Sequence, residues 1–234
     1  MDQLPIIFFP GINGEARIFA EQLKAFPTLK VAQWLPPARS ESMAAYAKRM
    51  AHTVDTGGPC LIGGASFGGI VAMEAAHHLQ AKACLLFASS RDVHGLPTSL
   101  RMARQLGKLI STDNIWKWTM LGQEAATATI PSARQRRRRL STTQQHFRDW
   151  ALSALLGWKP APAACQIMQI HGSKDNVFAA TRSKAGTIIA GAGHVLTRTH
   201  YEEANQFIIK ALEHCNASET RITDSKQANR YHHE

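Results

Sequence analysis

The run Gly64-Ala65-Ser66-Phe67-Gly68, flanked by Gly63 and Gly69, places one serine hydroxyl among small residues. Cys60-Leu61-Ile62 before it reads as a buried strand, and Phe67 to about His78 reads as a helix. Ser66 therefore falls on a strand-to-helix turn, the context of a nucleophile elbow. Such a turn lifts a hydroxyl above a sheet edge on strained backbone, and glycines at 64 and 68 let strand and helix pass where a Cβ would clash. The helix start adds free N–H groups beside a reacting carbonyl. The chemistry expected is nucleophilic attack by Ser66. The plainer alternative is a glycine turn that happens to carry a serine.

A serine hydroxyl is a poor nucleophile at neutral pH and needs a positioned base. Of the eleven histidines, His194 stands out in Gly191-Ala192-Gly193-His194-Val195-Leu196, a loop of small residues between a strand-like run and the last helix. His171 and His200 flank this region as supporting or structural residues. The base needs an acid behind it to fix its tautomer and stabilise the imidazolium. Asp175, in a loop leaving a strand-like run, is the first choice; Asp92, just after the run Ala83–Phe87, is the rival. A developing oxyanion needs two N–H donors. Phe67 offers one from the helix start, and the loop Pro10-Gly11-Ile12-Asn13-Gly14 offers the other, with Ile12 as the donor. Gly11 and Asn13 are expected beside the substrate, unless this loop is a plain turn.

These residues need a scaffold that brings distant loops to one edge. Short apolar runs alternate with helical patterns from the start, the signature of a parallel sheet with helices on its faces. Ile6–Phe9, Val31–Leu35, Cys60–Ile62 and Ala83–Phe87 read as the first four strands, and Gln166–Ile170 and Thr187–Ala190 as two more. A first helix would bury Ala16, Phe19, Leu23 and Phe26, and Ser42 would cap the helix running to about Val54. From His94 to Pro160 the strand signal lapses into a basic, tryptophan-bearing stretch (Trp116, Trp118, Trp150, Trp158). The last helix places Ala204, Phe207, Ile208, Ala211, Leu212 and Cys215 on one face. The expected division is a core of residues 1–93 and 161–215, a helical cap at 94–160 and a disordered tail at 216–234.

Composition narrows the classes further. The chain carries 27 basic and 17 acidic residues, +10 in all, and 44% hydrophobic residues argue against global disorder. Ten Lys/Arg between Arg101 and Trp150 face only Asp113, Glu124 and Asp149, with Arg134 and Arg136 to Arg139 the densest cluster. Such a cluster can meet phosphates, but the bland reading is a solvated helix face, and nothing else suggests nucleic-acid binding. The four scattered cysteines show no metal-ligand spacing and read as free thiols. No apolar run is long enough to cross a bilayer, and Ile6–Phe9 is too short for a signal-peptide core. A cytoplasmic location is expected.

Taken together, Phe9-Pro10-Gly11, Gly64 to Gly69, His171-Gly172-Ser173-Lys174-Asp175 and Gly193-His194 resemble the α/β-hydrolase family from about Leu4 to Cys215. Pro10 stands where that family's oxyanion loop commonly has histidine. The resemblance implies an α/β fold: a mostly parallel sheet of about six strands, helices on both faces and a helical cap after the fourth strand. It also implies a triad of Ser66, Asp175 and His194 in the chain order usual on this fold, with no cofactor. The activity implied is hydrolysis of a small-molecule acyl ester or thioester through an acyl-serine. A non-catalytic binding protein, and C–C hydrolase or lyase chemistry on the same triad, are the alternatives.

Overall fold

Alternating side chains decide how this chain layers. In β1 (Ile6–Phe9), Ile7 and Phe9 join one hydrophobic cluster and Ile6 and Phe8 the other, and all four are buried. The computed structural model describes residues 4–106 and 141–230. Within them β1 is followed by β2 (Leu29–Val31), β3 (Cys60–Ala65), β4 (Ala81–Phe87), β5 (Gln166–Gly172) and β6 (Thr187–Ile189). The sheet order is β2-β1-β3-β4-β5-β6, and every neighbouring pair is parallel. Strands covered on both faces need continuous apolar runs, and β1 and β3 are buried throughout. The six-strand parallel sheet is the one expected from the sequence.

The helices of the described residues are α1 (Ala20–Ala25), α2 (Met43–Val54), α3 (Phe67–Ala75), α4 (Thr98–Leu106), α5 (Thr142–Gly157), α6 (Leu196–Thr199) and α7 (Tyr201–Arg230). One face of the sheet packs Ile7, Phe9, Ile62, Cys84 and Leu86 against α2, α3 and α5. The other packs Ile6, Phe8, Leu61, Leu85 and Phe87 against Phe19, Phe26 and the Phe207–Ala211 face of α7. Ser42 caps α2 by accepting from the Ala45 amide, as its position predicts. Ser141 and Gln144 form a reciprocal capping box at the start of α5. At the other end of α5, the Arg104 guanidinium of α4 donates to the Leu155 and Leu156 carbonyls at 2.7 and 2.6 Å. That gives side-chain partners to two carbonyls of the last turn and ties the two helices together.

Three expectations are corrected. Ala16 and Leu23 are exposed, and Gln22 takes the inward position with its amide on Asn205. Residues 16–19 form a tighter 3-10 turn, and Phe19 then leaves helical dihedrals, so α1 starts in a new phase. The second strand spans Leu29–Val31 rather than Val31–Leu35. After Ala32 bonds the Phe8 carbonyl, the chain turns off the edge so that Trp34 can donate to Gly11. The last helix runs to Arg230 instead of ending in a disordered tail near residue 216, since Asn216–Arg230 holds neither glycine nor proline to stop it. The stretch expected to be cap is helical where described, at α4 and α5. Trp116, Trp118 and Arg134 to Arg139 lie outside the described residues. Among the described residues no helix is long and apolar enough to cross a membrane.

Register sets up the site. Phe9 pairs with Gly64, Ala65 with Phe87, Phe87 with Ile170 and Gly172 with Ile189, so the C-terminal ends of five strands form one rim. In parallel sheets the loops leaving that rim carry the ligand chemistry.

Candidate active site

Ser66 sits where β3 becomes α3, at φ 56° and ψ −124°, a region that side chains rarely adopt. The strain is held from several sides. The Ser66 amide donates to the Phe87 carbonyl at 2.9 Å, and the first turn of α3 lies hard against the end of β1. A Cβ at Gly68 would run into the Phe9 and Pro10 carbonyls, so only glycine permits this approach. Gly172 does the same at the other loops, where a Cβ would strike the Ala192 carbonyl. The segments bearing Asp175 and His194 are thereby laid side by side, and the Lys174 amide donates to Ala192 at 2.8 Å.

The three side chains form one chain of contacts. His194 Nε2 lies 3.0 Å from Ser66 Oγ, and His194 Nδ1 lies 2.9 Å from Asp175 Oδ2. An ionised carboxylate only accepts, so Nδ1 is the protonated nitrogen and Nε2 presents its lone pair to the hydroxyl. Asp175 is fully buried, and its Oδ1 accepts from the Val177 and Phe178 amides at 2.8 and 3.0 Å. Burial pushes its pKa up. Side-chain hydrogen bonds from His171 and His194, with their favourable electrostatics, outweigh that and hold the carboxyl well below the usual range. The Phe178 ring stacks on His194, 5.8 Å between centroids and 9° from parallel, which limits the imidazole to its plane.

The other predicted residues fall as follows. Phe67 is the first residue of α3, where an N–H has no partner within the helix. Ile12 and Asn13 form the middle of a turn closed by the Gly14 amide on the Gly11 carbonyl at 2.9 Å. The Trp34 indole also donates to that carbonyl, at 3.0 Å. Ile12 and Asn13 line a cavity of about 410 Å³ whose walls include Trp34, Leu35, Pro37 and Phe147; Gly11, Ser66 and His194 are not among its lining residues. A larger hollow of about 780 Å³ lies between residues 38–43 and α5, and neither Ser66, His194 nor the 11–14 turn lines it. Asp92 is drawn away from the imidazole. Its carboxylate pairs with Lys184 at 2.9 Å and caps the His94 and Gly95 amides. His200 bonds its neighbour Thr199.

The model of the family described as "Alpha/beta hydrolase family" matches residues 11–208. This chain belongs to the α/β-hydrolase family. Among solved structures, this α/β hydrolase is similar to a thermophilic esterase from Thermogutta terrifontis, at 17% identity and TM-score 0.59 over 91% of this chain and 90% of that one. It is also similar to MenH from S. aureus, at 14% identity and TM-score 0.62 over 92% and 96%. A third likeness is to the NocB thioesterase domain, solved in covalent complex with a fluorophosphonate nocardicin G analogue, at 17% identity and TM-score 0.56 over 89% and 94%. At such identities the likeness is one of fold. No curated protein matches.

Of the two histidines the sequence marked as supporting or structural, His171 is the one beside Asp175, and the Ser89, Gln169 and Phe178 contacts around it were missed. His171 Nε2 lies 2.8 Å from the Phe178 carbonyl and 3.3 Å from Asp175 Oδ2, with its ring fully buried. The available signal was a histidine at the end of a strand, four residues before the acid.

Proposed function

We propose that this α/β hydrolase cleaves a carboxylic ester or thioester through an acyl-Ser66 intermediate. The observation that carries the reading is the unbroken contact chain from Ser66 Oγ through His194 to Asp175. His194 Nε2 takes the hydroxyl proton as Oγ attacks the carbonyl carbon. Amides of Phe67 and Ile12 receive the oxyanion, and one such donor is worth about 3–4 kcal/mol. As the tetrahedral species collapses, the proton on Nε2 goes to the departing alkoxide or thiolate. His194 then deprotonates water, which attacks the acyl carbon and restores Ser66. Asp175 keeps Nδ1 protonated and faces the imidazolium with its charge.

The 410 Å³ cavity borders the 11–14 turn, Trp34 and Phe147 and has the volume of a small-molecule site; neither Ser66 nor His194 lines it, so it offers room for the far end of an acyl group rather than for the reacting carbonyl. Four free cysteines, three of them buried, suit a reducing compartment and support a cytoplasmic enzyme. The Arg134 to Arg139 cluster would draw an anionic leaving group such as a coenzyme A thioester, an attraction that added salt weakens. The test is a side-by-side series of p-nitrophenyl esters and acyl-coenzyme A thioesters of graded chain length, with Ser66→Ala as control. Turnover of short and medium acyl groups that vanishes in Ser66→Ala supports the reading, and turnover surviving in that variant overturns it.

A further inference from the structure

Among the described residues, two of the three non-glycine residues with positive φ lie on the same rim: Ser66 at 56° and Ala88 at 47°. The Ala88 turn brings Ser89 back over α3, and a Cβ at Gly69 would collide with the Ser89 side chain. The Ser89 hydroxyl donates to the Ser66 carbonyl at 2.6 Å, and the Gly69 amide donates to the same carbonyl at 3.1 Å. The strained nucleophile is thus gripped from the next strand.

From Ser89 the contacts continue along β5. The Gln169 amide donates to the Ser89 carbonyl at 2.9 Å and its nitrogen faces His171 Nδ1 at 3.5 Å. Arg91 fixes the Gln169 amide orientation by donating to Oε1 at 2.8 Å and anchors itself on the Ile167 carbonyl. With Nδ1 facing a donor, His171 carries its proton on Nε2, which donates to the Phe178 carbonyl at 2.8 Å and lies 3.3 Å from Asp175 Oδ2. Ser89, Gln169 and His171 are all buried. Buried polar groups in a continuous, satisfied chain fix one arrangement and cost heavily when one member is removed.

We infer that Ser89, Gln169 and His171 are positioning residues that lock the Ser66 turn and the Asp175 carboxylate into one frame, with His171 also taking a share of the Oδ2 charge that would otherwise face His194. The inference rests on the proposed hydrolase reading. Among the described residues, the titratable groups bonded to Asp175 are His171 from β5 and His194 from the loop after β6. Arg91 reaches the group only through Gln169, and Asp92 is occupied by Lys184. Without the His171 donor, the whole Oδ2 charge faces His194 and favours the imidazolium. The acid limb of kcat/KM, which reports protonation of the base in the free enzyme, then moves to higher pH.

The experiment follows p-nitrophenyl butyrate hydrolysis and fluorophosphonate labelling across pH in wild type, His171→Leu, His171→Gln and Ser89→Ala. His171→Leu is expected to lose about 10- to 100-fold in kcat with KM little changed and the acid limb displaced upward. Glutamine can present a nitrogen near the same place, so His171→Gln recovers most of the loss. Ser89→Ala is expected to lower kcat about tenfold with the limb unmoved, because it acts on Ser66 alone. That variant keeps the inference testable should His171→Leu not fold. A wild-type kcat in Ser89→Ala, or His171→Gln as impaired as His171→Leu with an unmoved limb, overturns the inference. If Ser66→Ala still turns over the ester, the hydrolase reading itself fails and this inference fails with it. If Ser66→Ala is dead while the other three variants match wild type, this inference alone is wrong.

Discussion

His171 and His194 meet at one oxygen: Nε2 of the first lies 3.3 Å and Nδ1 of the second 2.9 Å from Asp175 Oδ2. The other oxygen is taken by the Val177 and Phe178 amides. Two backbone amides and two imidazoles therefore orient the carboxylate. The imidazole it holds is aimed at a hydroxyl fixed on a different loop.

Asp175→Asn keeps the shape and removes the charge. Its amide can donate to Nδ1, which sends the His194 proton to Nε2 and leaves no lone pair for Ser66. The expected loss in kcat is about 10⁴-fold with substrate binding nearly unchanged, read from steady-state kinetics.

The same residue predicts a pH dependence of stability. Its folded-state pKa is depressed, while the unfolded chain takes up its proton near about pH 3.9. Its stabilisation is therefore complete above that pH and is lost as the pH falls toward the lower folded value. The Tm gap between wild type and Asp175→Asn should narrow as the pH falls below about pH 4. Thermal unfolding monitored by circular dichroism as the pH is lowered measures it.

Gly68→Ala forces a Cβ into the Phe9 and Pro10 carbonyls, which are backbone and cannot swing aside. The expected cost is about 1–3 kcal/mol of stability, seen as a lower denaturant midpoint. Activity should fall as well, since relief of the clash displaces Ser66.

Trp34→Phe keeps an aromatic ring beside Phe9 and Phe147 but removes the N–H that holds the Gly11 carbonyl. The 11–14 turn then loses one of its two ties. A fall in kcat of about 3- to 10-fold is expected from a lost hydrogen bond of ordinary strength. A rise in KM alone would instead assign Trp34 to substrate binding.

The legible parts of the site were those whose geometry is local. Ser66 could be placed because strand, glycine turn and helix adjoin in sequence, and His194 and Asp175 because each follows a strand in a loop of small or polar residues. The choice of Asp175 over Asp92 was legible only by position; the structure adds the Lys184 pairing that occupies the rival. Ser89, Gln169 and Phe178 carry no sequence mark, since their contacts depend on how the ends of three strands line up. Leu23 misled because a 3-10 turn reset the helical phase before α1. The strand pattern was clear wherever both faces are buried and faint at the edge, where Leu29–Val31 contributes a short, half-covered β2.

The most direct test of the account is to treat the protein with a fluorophosphonate and locate the adduct by peptide mass spectrometry. A single stoichiometric adduct on Ser66, abolished in Ser66→Ala and strongly slowed in His194→Ala, is the predicted result. An unlabelled protein, or an adduct on another residue that persists in Ser66→Ala, would contradict it.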